Sequence, residues 1–142
     1  MSSFTEIIAY RKLKKRHFWH SQCYQILEPF EYHIGTEDSE DVIKVDAGFI
    51  TDFASTPFWI RWKYPAIGWY AKAAVLHDRG YKYPNGHSKN WWDNLLKESM
   101  TVIARSLVGK NIPKEMQLTI DRFYWAVQTI FGKWAWNKHR KS

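Results

Sequence analysis

The first third of the chain contains short stretches in which apolar and polar residues alternate, a pattern typical of half-buried β-strands. The clearest are Tyr32–Ile34 and Val42–Val45, and a polar, acidic segment that begins at Gly35 separates them. Ile7–Tyr10 and Tyr24–Leu27 are two further short candidates. The pattern predicts antiparallel hairpins that form an N-terminal sheet.

After residue 68 the apolar residues recur every three to four positions, which predicts about three α-helices. The first runs from Gly68 to Tyr81. Ser88 is suited to cap the second, and Pro113 is suited to open the third. The apolar stripe of the third helix runs from Met116 to Trp134. Strands followed by helices predict a single α+β domain over residues 1–142, with the N-terminal antiparallel sheet packed against the C-terminal helices and with short basic ends.

Aromatic and basic residues are abundant enough to suggest a binding partner. The chain has nine tryptophans, and aromatic residues make up 18% of it, so we expect some rings to contact another protein. The expected contact residues are Trp59, Trp62, Trp134 and Trp136. The net charge is +7, and basic residues cluster near both ends. This charge would also suit nucleic acid, but no nucleic-acid-binding module is recognisable, and solubility is the better explanation of the charge.

Several classes of protein are disfavoured. Cys23 is the only cysteine, so no intrachain disulfide framework is expected. The N-terminus lacks the apolar segment of a secretory signal, and no apolar run is long enough to predict a membrane span. We therefore expect synthesis in a cytoplasm and no membrane insertion.

Four ionisable residues in apolar surroundings form the candidate site. Asp52 follows the strand-like stretch that ends at Ile50, and His77 and Asp78 are adjacent on the first helix. Asp93 is expected in the first turn of the second helix, where a carboxylate complements the helix dipole. Because buried ionisable groups need partners, we expect Asp52, His77 and Asp78 to lie close together.

Two interpretations of these residues remain open. With Ser55 they could form a buried hydrogen-bond network that fixes the junction between strand and helix. Alternatively, Asp52, His77 and Asp78 could bind a divalent metal, with Asp93 as a general base or supporting group. The cofactor is therefore unknown from the sequence, with a divalent metal as the candidate.

Two motifs in combination resemble a small, uncharacterised domain family of tailed bacteriophages and prophages. The first is Gly48-Phe49-x-Thr51-Asp52-Phe53-Ala54-Ser55-x-Pro57, and the second is Ala73-Ala74-Val75-Leu76-His77-Asp78-x-x-Tyr81. The resemblance covers residues 42 to about 134. The family pattern has a Ser-Arg pair before the helix with the third acid, where this chain has Ser88 and Lys89.

The resemblance implies a phage-encoded protein made in the host cytoplasm, but it supplies no reaction. We expect a virion- or tail-associated structural or adaptor component that binds other phage proteins. The alternative is a metal-assisted hydrolase, directed at the cell wall, that uses Asp52, His77, Asp78 and Asp93. A host-directed role inside the infected cell rests on charge alone.

Overall fold

The structure is a computed structural model that describes residues 2–4, 8–13, 24–36, 38–51, 68–138 and 140. Cys23, Trp59 and Trp62, about which the sequence made predictions, lie outside these residues. The strands are β1 (Ser3–Phe4), β2 (Tyr10–Lys12), β3 (Tyr24–Ile26), β4 (Phe30–His33), β5 (Val42–Val45) and β6 (Ile50–Thr51). The helices are α1 (Ala71–Lys82), α2 (Lys89–Val108), α3 (Lys114–Gln128) and α4 (Ile130–Lys138). The predicted α+β class is confirmed.

The strands form two small antiparallel sheets, with the orders β1-β4-β5 and β2-β3-β6. The predicted hairpin is present, because β4 pairs with β5 from Phe30 opposite Val45 to His33 opposite Val42. Burial alternates along both strands of this hairpin, so one face of the sheet packs on the core and the other meets solvent.

The core has two parts. In the first, the buried residues of β3, β4 and β5 pack on Val75 and Leu76 of α1 and on Trp92 of α2. In the second, the remaining apolar faces of α1 and α2 pack on Ile120 and Phe123 of α3. Helices α1 and α2 therefore contribute to both parts and lie between the sheets and α3.

The second helix begins where its cap was expected. The side-chain oxygen of Ser88 accepts a hydrogen bond from the backbone N–H of Trp91 at 3.1 Å. This bond satisfies one of the free N–H groups at the helix start, as a serine N-cap does.

The predicted third helix is two helices, which corrects the expected stripe from Met116 to Trp134. Thr129 has extended backbone dihedrals, and its N–H and hydroxyl both bond the carbonyl of Ala126. Helix α4 then follows so closely that a Cβ at Gly132 would collide with the backbone of Val127. The break between α3 and α4 could not be predicted from the sequence, because the apolar stripe continues through it. Hydrophobic periodicity does not show where the chain changes direction.

None of the helices in the described part of the chain combines the length and the hydropathy that a membrane crossing requires.

Candidate functional site

Asp93 is the centre of the site, and it is completely buried. Helix α2 begins at Lys89, so Asp93 lies beyond its first turn, one turn later than the sequence suggested. The free N–H groups of the helix start therefore do not balance its charge. A buried carboxylate needs hydrogen-bond donors in place of water, and side chains supply them here.

Four donors surround the carboxylate. One oxygen, Oδ1, lies 2.8 Å from Nε2 of His77 and accepts a 2.6 Å hydrogen bond from the hydroxyl of Tyr81. The other oxygen, Oδ2, accepts bonds of 2.6 Å from Nζ of Lys89 and from Nε2 of Gln128. Residues from α1, α2 and α3 thus surround the Asp93 carboxylate. We call these five residues the Asp93 cluster.

The cluster keeps Asp93 ionised. Burial alone would raise the pKa of its carboxyl group, but the hydrogen bonds from His77, Lys89 and Tyr81 outweigh burial and lower the pKa below the usual value of 3.8. Burial and the adjacent carboxylate raise the pKa of the Tyr81 phenol, which therefore keeps its proton and acts as a donor. Within the cluster, the Asp93 carboxylate is consequently a negative charge held by its hydrogen-bond donors.

Local helix geometry explains part of this convergence. His77 and Tyr81 are four residues apart on α1, and Lys89 and Asp93 are four residues apart on α2, so each pair lies on one helix face. The spacing from Lys89 to Asp93 is a local sequence signal for an ion pair, and it could have identified Lys89 as a site residue. Gln128 has no comparable signal, because only the packing of α3 against α2 brings its amide to Asp93.

Lys89 links the cluster to the end of α3. Its ammonium group bonds both Asp93 and the carbonyl oxygen of Val127, each at 2.6 Å. The carbonyls in the last turn of a helix lack intrahelical partners, and a cation satisfies them well. Lys89 occupies the position at which the family resemblance implies an arginine, and it supplies a cation there.

His77 is held on two sides. Its imidazole is 11% exposed, Nε2 contacts Asp93, and its ring centroid lies 4.1 Å from that of Tyr81. The structure shows no hydrogen-bond partner for Nδ1 of His77 among the described residues. Among the described residues, one ring nitrogen of His77 therefore has a partner and the other has none.

Asp78 lies outside the Asp93 cluster. Its carboxylate is 3.6 Å from Nζ of Lys82, which donates a 2.7 Å hydrogen bond to the carbonyl of Ile50 at the end of β6. The Oδ2 atom of Asp78 is enclosed and has no hydrogen-bond partner in the described structure. Asp78 thus faces the junction between α1 and β6, and not the Asp93 carboxylate.

The predicted proximity of Asp52 to His77 and Asp78 stays a prediction, because Asp52 and Ser55 lie outside the described residues. Within the described ranges, no group of three or more His, Cys, Asp or Glu side chains is placed to hold a metal ion. Of the predicted site residues, the structure brings His77 and Asp93 together and adds Tyr81, Lys89 and Gln128.

Comparison with known proteins gives one match. Residues 24–113 match the model of a family described as Protein of unknown function (DUF1353). Neither the curated proteins nor the solved structures gave a match. The matched range spans β3 to the end of α2 and includes four members of the Asp93 cluster, and Gln128 lies beyond it. Because the match covers more than half of the sequence, this chain belongs to the DUF1353 family.

Proposed function

We propose that this protein is a structural or adaptor component of a bacteriophage particle, associated with the virion or its tail, and that α4 carries a contact with another phage protein. The phage assignment rests on the two sequence motifs. The observation that carries the adaptor role is the exposure of Trp134, whose side chain is 67% accessible.

Trp134 lies on a surface that combines its exposed ring with cationic side chains. The ammonium group of Lys138 lies 5.4 Å from the centroid of its indole ring. With Asn137 and Arg140, these two residues line a surface cavity of about 460 Å³, which we call the Trp134 surface. Exposed tryptophan beside cationic side chains is the composition enriched at the energetic centres of protein interfaces.

Trp136, the other predicted contact residue on α4, is used mainly inside the protein. Its ring packs edge-on against Tyr81 with centroids 5.3 Å apart, and the guanidinium of Arg140 lies 4.2 Å from its centroid. The partner surface that we propose therefore centres on Trp134. Trp59 and Trp62 remain predicted contacts outside the described residues.

The proposal is tested on purified phage particles. We expect mass spectrometry to detect the protein in wild-type particles and to detect it at least tenfold less when Trp134→Ala is introduced into the phage genome. Leu107→Ala is the matched control, because Leu107 is 61% exposed at the end of α2, outside the Trp134 surface, and its loss should leave incorporation unchanged. Both variants should change the stability of the isolated protein by less than about 0.5 kcal/mol. Absence of the wild-type protein from particles would refute a virion role and favour a host-directed one.

A hydrolase is the second candidate, and the contact between His77 and Asp93 is the observation that favours it. A histidine oriented by a buried carboxylate is a common arrangement for acid–base chemistry. In a metal-assisted form, the unused nitrogen of His77 would be a ligand and the reaction would stop on addition of a chelator.

A further inference from the structure

We propose that Nδ1 of His77 is the proton acceptor of a hydrolytic site that acts on acyl substrates, carboxylic esters or amides, and that Asp93 is its positioning residue. The inference rests on the hydrolase candidate and is independent of a role in the particle. It assigns the reacting atom and the class of bond.

The ionised Asp93 determines which nitrogen of His77 carries the proton. A carboxylate can only accept hydrogen bonds, and Oδ1 lies 2.8 Å from Nε2 of the imidazole. Nε2 must therefore bear hydrogen. In the neutral imidazole the lone pair is then on Nδ1, which is the nitrogen able to take a proton.

The rest of the cluster fixes this orientation. Tyr81 donates to the same oxygen as His77, while Lys89 and Gln128 hold the other oxygen, so rotation of the carboxylate would break several hydrogen bonds at once. The ring of Tyr81 also contacts the imidazole face at 4.1 Å between centroids. Proton transfer benefits from such preorganisation, because the base needs no reorientation during the reaction.

The imidazole of His77 is partly open to solvent, and Nδ1 is the ring nitrogen that does not contact Asp93. The enclosed, unpartnered polar atoms of the described residues are the Tyr32 hydroxyl, Nε2 of His33 and Oδ2 of Asp78. Nδ1 of His77 is not among them and has no described hydrogen-bond partner, while the imidazole is 11% exposed. The exposed part of the imidazole gives a small reactant such as water a route to the ring.

Among the described residues, the side chains around His77 favour an acyl substrate over a glycoside. Glycoside hydrolysis generally uses two carboxyl groups on opposite sides of the bond, and Asp93 cannot serve because all its contacts are internal. A single neutral imidazole suits the activation of water toward a carbonyl carbon. Nδ1 takes a proton from water as the oxygen bonds to the acyl carbon. The resulting imidazolium, stabilised by Asp93, then returns the proton to the leaving oxygen or nitrogen as its bond to carbon breaks.

The experiment separates the chemistry of Nδ1 from the structural bond of Nε2. In His77→Gln, the side-chain amide nitrogen can replace Nε2 as donor to Asp93, but no atom replaces the Nδ1 lone pair. With p-nitrophenyl acetate as the probe, we expect the wild-type protein to release p-nitrophenolate about 100-fold faster than folded His77→Gln. His87→Gln is the matched control, because His87 is an exposed histidine stacked on Trp91, and its rate should equal that of the wild type.

Two further outcomes decide the assignment. Long-range ¹H–¹⁵N spectra of the wild-type protein should show His77 protonated at Nε2 and unprotonated at Nδ1, and this preference should weaken in Asp93→Asn if that variant folds.

The proposal is overturned if wild type and His77→Gln react equally, if His87→Gln loses the rate, or if Nδ1 carries the proton. It is also overturned if Zn²⁺ shifts the Nδ1 resonance and is needed for ester cleavage, since His77 would then be a metal ligand. Detection of the protein in particles is unaffected by any of these results.

Discussion

At the scale of single residues, the buried charge of Asp93 is the feature with the largest consequences. The carboxylate is inaccessible to solvent, and two of its contacts come from the ionisable side chains of Lys89 and His77. Such a group stabilises the folded state only while its partners remain, because an uncompensated buried charge is strongly unfavourable. The Asp93 cluster therefore makes α1, α2 and the end of α3 depend on one another.

The first prediction concerns Asp93→Asn and pH. The variant should be less stable than the wild type by about 3–5 kcal/mol at pH 7, because the buried Lys89 contact loses its counter-charge. The folded-state pKa of Asp93 is below its usual 3.8, so the unfolded chain binds this proton at higher pH than the folded protein does. The stabilising effect of the Asp93 carboxylate is thus fully present above the pKa that this group has in the unfolded chain. It is lost as the pH falls through the pKa of the folded state.

Urea unfolding measured from about pH 5 down to about pH 3 should therefore show a steeper loss of stability in the wild type than in Asp93→Asn. Asp46→Asn is the control, because the Asp46 side chain is 77% exposed. The free energy of unfolding of this variant should fall with pH as steeply as that of the wild type. Equal slopes for wild type and Asp93→Asn would show that Asp93 does not titrate with a lowered pKa.

At the scale of elements, the close packing of α1 against α2 places the donors of the cluster around Asp93. Gly80 lies in the middle of this contact, and a Cβ there would collide with the indole ring of Trp92. The Trp92 ring is in turn held by a hydrogen bond from its Nε1 to the carbonyl of Pro84. Gly80 thus allows the two helices to approach closely enough for His77 and Tyr81 to contact Asp93.

The second prediction is that Gly80→Ala destabilises the protein by about 1–3 kcal/mol through overpacking. The sign is informative, because glycine to alanine at an exposed helix position instead stabilises by about 1 kcal/mol. Thermal unfolding should show a smaller penalty for the added methyl group in a Trp92→Leu background, where the colliding ring is absent. A stabilised Gly80→Ala protein would contradict the close approach of the helices.

At the scale of the whole molecule, the C-terminal segment packs back onto the site. The guanidinium of Arg140 donates to the carbonyls of Tyr81 and Lys82 at the end of α1, and it also contacts the ring of Trp136. Trp136 packs on Tyr81, which belongs to the Asp93 cluster. Arg140, which also lines the Trp134 surface, therefore attaches the C-terminal segment to the end of α1.

The third prediction is that Arg140→Ala lowers the free energy of unfolding by about 1–2 kcal/mol, because the last carbonyls of α1 lose a charged donor and Trp136 loses a cation. Lys138→Ala, which removes a neighbouring exposed cation, should change it by less than about 0.5 kcal/mol. Chemical denaturation of both variants tests this difference. Similar effects of the two substitutions would show that the contacts of Arg140 do not stabilise α1.

The sequence by itself determined the elements whose signals are local. Alternation of apolar and polar residues located the hairpin of β4 and β5, and the cap at Ser88 located the start of α2. The placement of His77 and Asp93 in apolar stretches also indicated that they need partners, since desolvation acts on any buried charge. The i,i+4 spacing of Lys89 and Asp93 is likewise a local signal for their ion pair.

Only the tertiary structure decided how the candidate residues are grouped. His77 and Asp78 are neighbours in sequence, but one faces Asp93 and the other faces Lys82, because adjacent residues on a helix point about 100° apart. Gln128 reaches Asp93 from 35 positions away, and the chain turns at Thr129 within an unbroken apolar pattern. Hydrophobic periodicity records which side of a helix is buried but not which neighbour covers it, so the partners of a buried charge are decided by how the helices pack.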